Sequence, residues 1–362
     1  MRLFKKPFQR KTKSINDTAP QLAQWERAAF ASPGHTFGDL SYDTYDQMTK
    51  DSMVQTVLTL KKLAVLAADF RIVPASHTPL AQQKADFVVK AFDRMEGSPL
   101  QVIGHAADAF TKGWSVQEVV YAADKGHYWI EAVRPKDPSG FGLKVNKFGK
   151  IEGLSLRVPG EPDRDLPKEK FAVYIHRRQY GLPKGQSDLD AAYPHWKAKQ
   201  GLLKAWKLQL EKFAIPTVMG RYERGLPPEE QTTILRALQD FQSTSAVIYP
   251  QEIEVSLLGG GREPSTGFQE AIEFHNREIA RAVLGQTLTT DEGRRVGSLA
   301  LGKVHLQILL LQINALRREL AEEVMTEQVV RPLVELNFGP GEVPRFEFSE
   351  STTGVFSTGD LR

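Results

Sequence analysis

Two long helix-forming segments are separated by far more chain than a turn needs, and this spacing constrains the fold more than any other feature. The first, SDLDAAYPHWKAKQGLLKAWKLQLEKF at 187–213, places Leu189, Trp196, Leu203 and Leu210 seven residues apart, with Ala192, Trp206 and Phe213 on the neighbouring row. That is the spacing of one apolar helix face. Lys199 interrupts the second row, and Pro194 falls in the first turns, where a missing amide kinks a helix or delays its start. Trp196 and Trp206 are expected to pack in a core, because large aromatics dominate buried contacts. The second helix, 268–284, aligns Phe268, Ile272, Ile279 and Val283. Between the two, PTVMGRY reads as a strand and PPEEQTTILRALQDFQ as a helix with Ile234, Leu235, Leu238 and Phe241 inward. SAVIYP reads as a second strand, which EIEVSLL can extend. This β-α-β order predicts a knob inserted between two long helices. GGGREPSTG lacks the lysine of a phosphate loop and is read as a flexible connector.

The second helix runs into a polar interruption, GQTLTTDEGRRVGS at 285–298. Ser298 can then cap a third long helix to roughly Leu333, carrying Leu306, Leu309, Ile313, Leu316, Leu320 and Val324. Upstream, DSMVQTVLTLKKLAVLAADF sets Val54, Val57, Leu58, Leu63 and Leu66 near helical spacing, so ordered structure is expected to begin near Asp51. RIVPAS reads as a strand, and a helix follows from about Leu80 to Met95. Another starts after Ser98-Pro99, an N-cap followed by proline at the first helical position, and ends at Gly113. From Trp114 to His176 the runs WSVQEVVYA, YWIEAVRP, FGLKVN, GLSLRV and KFAVYIH predict a small sheet region. The tail, 338–362, is rich in Gly, Pro and Thr with one strand-like run, RFEF.

Chemistry is thinly marked. Cysteine is absent, which excludes disulfides, thiolate metal sites and a cysteine nucleophile. The eight histidines form no HxxxH or HExxH pair, and GxSxG and dinucleotide fingerprints are missing, so no metal and no cofactor is expected. His195, beside Trp196, is read as a structural histidine at a helix start. No apolar run approaches the roughly 20 residues a bilayer requires, and the N-terminus lacks a signal-peptide core, so a cytoplasmic protein without membrane contact is expected. Arg2, Lys5, Lys6, Arg10, Lys11 and Lys13 crowd the first 14 residues with no acid among them. Without those six of its 47 basic residues, the body holds a slight excess of its 44 acidic ones. A strong nucleic-acid gripper normally has a basic body, so any DNA contact is expected to be local or weak.

Taken in order, these segments resemble the portal proteins of tailed phages, and more narrowly the branch typified by phage Mu and related prophages. The resemblance covers roughly residues 48–350 and rests on GQSDLDAAYPHWKAK, LEKFAIPTVMGRY, HNREIARAVLGQTLTTDEG, GSLALGKVH and RPLVELNFG. It implies an α+β portal fold: a basic, flexible arm at 1–47, a wing at 48–186, a first stem helix at 187–213 and a clip at 214–258. A linker and second stem helix follow at 259–284, then a tunnel loop at 285–297, a long helix behind it at 298–337, and a wing strand with tail at 338–362. Relatives of this branch continue beyond RFEF into a helical crown, here expected to be reduced or absent.

The resemblance further implies a non-enzymatic ring, usually of twelve subunits, at one capsid vertex of the virion. Double-stranded DNA passes through it independently of sequence, packaged by the terminase and later ejected. Assembly in the host cytoplasm, and partners among the terminase large subunit, capsid and scaffold proteins and head-completion or tail-connector proteins, are expected. Thr287, Thr289, Thr290, Asp291, Glu292, Arg294 and Arg295 would line the channel. Arg221, Tyr222, Glu223, Arg224, Glu229 and Glu230 would form the clip surface that docks terminase or adaptor. A conduit must admit the duplex without holding it, because each fixed phosphate contact adds salt-dependent affinity. A loop offering two arginines against two acids among small threonines suits that demand. The alternatives are another structural head-tail adaptor ring and a DNA-processing enzyme with a dispersed active site.

Overall fold

The structure, a computed structural model, describes residues 40–146, 151–158, 160–178, 184–214, 218–222, 225–241, 246–250, 264–286 and 299–349. The chain forms two compact units. One combines the residues up to Ala191 with those from Ala282 onward; the other is Ala192–Arg281.

The first unit opens with helix α1, Tyr42–Met48, capped by the Ser41 hydroxyl, which accepts from the Thr44 amide. This helix lies largely within the stretch expected to be a loose arm. Buried Tyr45 and Met48 anchor it, and the Tyr42 hydroxyl accepts a 2.7 Å hydrogen bond from the Trp114 indole. Asp51 caps α2, Ser52–Leu66, by accepting from the Met53 and Val54 amides. Val54, Val57 and Val65 face inward as expected. Leu63 does not: it is 58% exposed, and Lys61 takes the inner position instead. Strand β1, Phe70–Val73, leads to α3, Pro79–Arg94, and to α4, Pro99–Ala106, which starts with a reciprocal capping box of Ser98 and Gln101. The chain breaks at Ala107 before the short α5, Ala109–Lys112, so the single helix expected up to Gly113 is two.

The β region contains β2 (Trp114–Asp124), β3 (His127–Lys136), β4 (Phe141–Val145), β5 (Ile151–Leu156), β6 (Arg164–Leu166) and β7 (Phe171–Ile175). They form two antiparallel sheets, ordered β3-β2-β7 and β4-β5-β6. The three-residue β6 had no signal of its own in the sequence. Trp114, Val116, Phe141, Leu154, Phe171, Val173 and Ile175 form a core shared by these sheets.

Helix α6, Leu189–Ala214, begins in the first unit and runs into the second, with Pro194 inside it. In the second unit β8, Val218–Tyr222, pairs in parallel with β9, Ala246–Pro250, across the intervening α7, Pro228–Phe241. Residues 252–258, expected to extend that pairing, lie outside the described residues. Helix α8, Pro264–Leu284, starts within the expected connector and returns to the first unit.

Helix α9, Leu299–Glu319, continues into a π-helical stretch, Leu320–Val330, and then α10, Arg331–Phe338. Periodicity predicts one helix over this span; the path is continuous but its middle is wound wider. Gln328 there meets the edge of β7: its side-chain amide accepts from the Val173 N–H and donates to the Val173 carbonyl, both at 2.8 Å. Thr326 donates to the Ala321 carbonyl and accepts from the Phe346 amide at 3.0 Å. The last strand, β10 (Arg345–Phe348), lies antiparallel to β1, with Phe70 opposite Phe348. The main core gathers Phe87, Phe92, Ile103 and Phe110 with Ile130, Leu320, Val324, Met325, Val330 and Phe346. Each such side chain contributes roughly 1.5–3 kcal/mol when fully buried.

Candidate functional site

Thr287, Thr289, Thr290, Asp291, Glu292, Arg294 and Arg295 lie outside the described residues, as do Glu223 and Arg224. The flanks of the polar interruption are described. Helix α8 ends at Leu284, and Gly285 takes a φ of 72°, the left-handed conformation in which glycine terminates a helix without a Cβ penalty. A Cβ added there would stand 3.0 Å from the Gln312 amide on α9. Gln286 is buried.

In the last turn of α8 the Val283 carbonyl accepts a 3.3 Å hydrogen bond from the Lys61 ammonium. The same ammonium donates to Asp188 Oδ2 at 2.6 Å. The other carboxylate oxygen, Oδ1, meets His176 Nε2 at 3.0 Å and Arg177 Nη1 at 3.2 Å. The Lys61, Asp188 and His176 side chains are 7%, 0% and 2% exposed; that of Arg177 is 48% exposed. An ionised carboxylate only accepts, so His176 donates through Nε2. Its Nδ1 lies 3.3 Å from the Tyr174 hydroxyl, which donates to Glu319 at 3.2 Å. A hydrogen-bonded path thus runs from the end of α9, through the turn after β7, to the start of α6, to α2 and to the end of α8.

Burial opposes ionisation of Asp188, but the His176 hydrogen bond and the charges of Lys61, His176 and Arg177 outweigh it and hold the carboxyl below the usual range. Burial pushes the Lys61 ammonium below the usual amine range against the pull of Asp188. Helix ends favour this arrangement. Asp188 precedes the first residue of α6, where the dipole is positive, and Lys61 reaches a carbonyl at the negative end of α8, which has no partner within the helix. With both oxygens engaged by cations, Asp188 acts as a clasp and not as a general base.

Local backbone geometry places the clasp. The His176 amide donates to the Gly113 carbonyl, the Gln186 amide to the His176 carbonyl and the Asp188 amide to the Phe110 carbonyl, each at 2.9 Å. Gly113, at φ 80°, is so close to Gly185 that a Cβ would come within 2.7 Å of the Gly185 carbonyl. Ser187 accepts from the Leu189 amide and donates to the Thr111 carbonyl. Asp190 accepts from the Tyr45 hydroxyl at 2.5 Å.

In the second unit, Arg221 and Tyr222 occupy the end of β8, in register with Tyr249 and Pro250. Glu229 and Glu230 are exposed in the first turn of α7, where acids suit the helix dipole. Trp206 stacks on Phe268, with ring planes 3° apart, whereas the distal residues of its helix, Leu203 and Leu210, are 37% and 53% exposed. The apolar row expected to be inward is therefore uncovered along its outer half in a single chain. His195 does not stand alone: its Nδ1 lies 3.1 Å from Nδ1 of His275 on α8. Among the described residues no group of three or more His, Asp or Glu could hold a metal ion, and no helix is long and apolar enough to cross a membrane.

Residues 42–354 match the family model described as the portal protein of Mu bacteriophage. The chain belongs to the Mu portal family. It is 26% identical over 310 residues to the Mu-like prophage FluMu protein gp29 of Haemophilus influenzae, covering 84% of this chain and 59% of that protein. It is 24% identical over 311 residues to the portal protein of Escherichia phage Mu, covering 83% of this chain and 58% of the relative. This portal-family chain thus spans about three fifths of the length of both relatives. Among solved structures it is similar to a chain of the virion of a native gene transfer agent particle (TM-score 0.61, 11% identity, 92% of this chain and 90% of that one). A chain of the neck of a native gene transfer agent particle, computed with C12 symmetry, has a TM-score of 0.58 at 14% identity, covering 90% and 89%. At these identities the likeness establishes a shared fold, here of α+β class.

Sequence reading missed the clasp in this portal-family chain. Its signal was Lys61, which shares the inner stripe of α2 with Val54, Val57 and Val65 and puts a charge where an apolar residue belongs.

Proposed function

We propose that this chain forms a homo-oligomeric ring, the portal channel of a virion, through which double-stranded DNA is packaged and later ejected. The observation that carries this reading is the family match over 42–354, supported by two long helices that flank a β-α-β unit. Twelve copies is the number suggested by the C12 symmetry of one similar neck. In the ring, Thr287, Thr289, Thr290, Asp291, Glu292, Arg294 and Arg295 line the channel. The β8-α7-β9 unit, with Arg221 to Arg224 and the Glu229 and Glu230 pair, docks the terminase large subunit and then head-completion proteins. Capsid and scaffold proteins meet the outer body. The protein is structural and not an enzyme; it is assembled in the host cytoplasm and resides at one capsid vertex. Exposed Leu203, Leu208 and Leu210 on α6 and Leu311 on α9 supply apolar surface for neighbouring copies, as a closed ring requires.

Electron microscopy of purified protein tests the reading and is expected to show annular particles with a central channel. A protein that stays monomeric under all assembly conditions sinks it. Arg294→Ala with Arg295→Ala is expected to keep the rings and to change DNA packaging or retention; wild-type packaging and retention would remove both arginines from the channel assignment.

A further inference from the structure

We infer that Lys61 and Asp188 are positioning residues: a buried clasp that fixes, relative to each other, the two places where the chain leaves and re-enters the first unit. The inference rests on the portal reading only for its functional consequence. Its geometry is independent of that reading.

The chain passes from the first unit to the second between Ala191 and Ala192 and returns between Arg281 and Ala282. Asp188 lies just before the outward crossing and Val283 just after the return, and one ammonium, Lys61 Nζ, holds both, at 2.6 and 3.3 Å. No other cation contacts Asp188 Oδ2 among the described contacts, since His176 and Arg177 both address Oδ1. Lys61 itself comes from α2, in the main body. It therefore ties the start of α6 and the end of α8 to a third element. Gln286 follows Val283 by three residues, and Thr287, the first residue assigned to the channel, is next in the sequence.

Net stability alone is a poor reason for this arrangement, because buried ion pairs are often replaceable by apolar residues without loss. What an apolar pair cannot replace is the directional bond from the ammonium to the Val283 carbonyl. The double substitution Lys61→Met with Asp188→Asn separates the two roles: it leaves no unpaired charge in the pair, and the amide oxygen kept at position 188 can still accept from His176 Nε2. The single substitution Lys61→Met, which leaves the buried Asp188 Oδ2 without its cation, is the variant at risk of misfolding.

Hydrogen exchange on full-length protein, in whatever assembly state the wild type adopts, tests the clasp. In the double variant the amides of Ala282 to Gln286 are expected to exchange about tenfold faster or more, the effect of losing a charge-assisted hydrogen bond. Amides of the Val324 to Val330 core are expected to be unchanged. Uniform acceleration at both sites, or no change at Ala282 to Gln286, overturns the positioning role. With that local loosening established, DNA retention by rings of the double variant is expected to fall. Wild-type retention would overturn the functional half of the inference, and absence of rings from the wild type itself would instead sink the portal reading.

Discussion

Residue by residue, the least replaceable positions near the clasp are those with no side chain. Gly113 holds a left-handed φ of 80°, and its carbonyl accepts from His176 while Gly185 crosses close by. Gly113→Ala adds both a strained backbone and a Cβ pressed on a carbonyl, so it should lower stability by about 1–3 kcal/mol. Thermal or urea denaturation of the variant against wild type measures this, and an unchanged midpoint contradicts the packing described. Gly113 was legible in the sequence as a helix terminator, but its closeness to Gly185 was not, since the 71 residues between them hide that approach. Lys61 was partly legible, as a charge on an apolar stripe. Asp188 was not: in QSDLD it reads as one more polar residue before a helix, and only the fold brings Lys61, His176 and Arg177 around it.

Among elements, the His195 and His275 pair links α6 to α8 within the second unit. Burial, then the neighbouring His195, pushes His275 below the usual histidine range, with Glu278 opposing. The unfolded chain therefore binds its proton at a higher pH than the folded one, and stability from this source is present above and lost below about pH 6.5. Melting temperature should fall between about pH 7 and pH 5, with a shallower slope in His275→Gln; equal slopes would show that the pair does not titrate as described. Most helices and strands were readable from the spacing of their apolar residues, and one helix also from its ends, where Ser98 caps ahead of Pro99 and Gly113 ends the helical stretch. Short elements such as α1 and β6 escaped because they span too few residues to show a period. The π-helical winding of Leu320–Val330 escaped for another reason. Its buried residues keep a helix-like spacing, and the wider turns show only in bonds such as Thr326 to the Ala321 carbonyl. The pairing of β1 with β10, like the choice of Gln328 as partner for the β7 edge, depends on contacts between distant segments that local patterns do not encode.

At the scale of the whole molecule, the family and the α+β class were legible from the order of segments, whereas the residues assigned to the channel remain outside the described structure. Chain connectivity adds a prediction. Replacing 192–281 by a flexible Gly/Ser linker of roughly six to ten residues should leave a folded first unit, because its core draws only on the flanking segments. Circular dichroism and a cooperative melt would check this; a chain lacking a melting transition would contradict it. By contrast, the antiparallel pairing of Phe70–Val73 with Arg345–Phe348 ties the two margins of the chain to each other within the first unit. These strands make early and late sequence interdependent, while the chain leaves the first unit just after Asp188 and re-enters it just before Val283. A segment bounded in this way can be exchanged as one block without disturbing the pairing of the first and last strands.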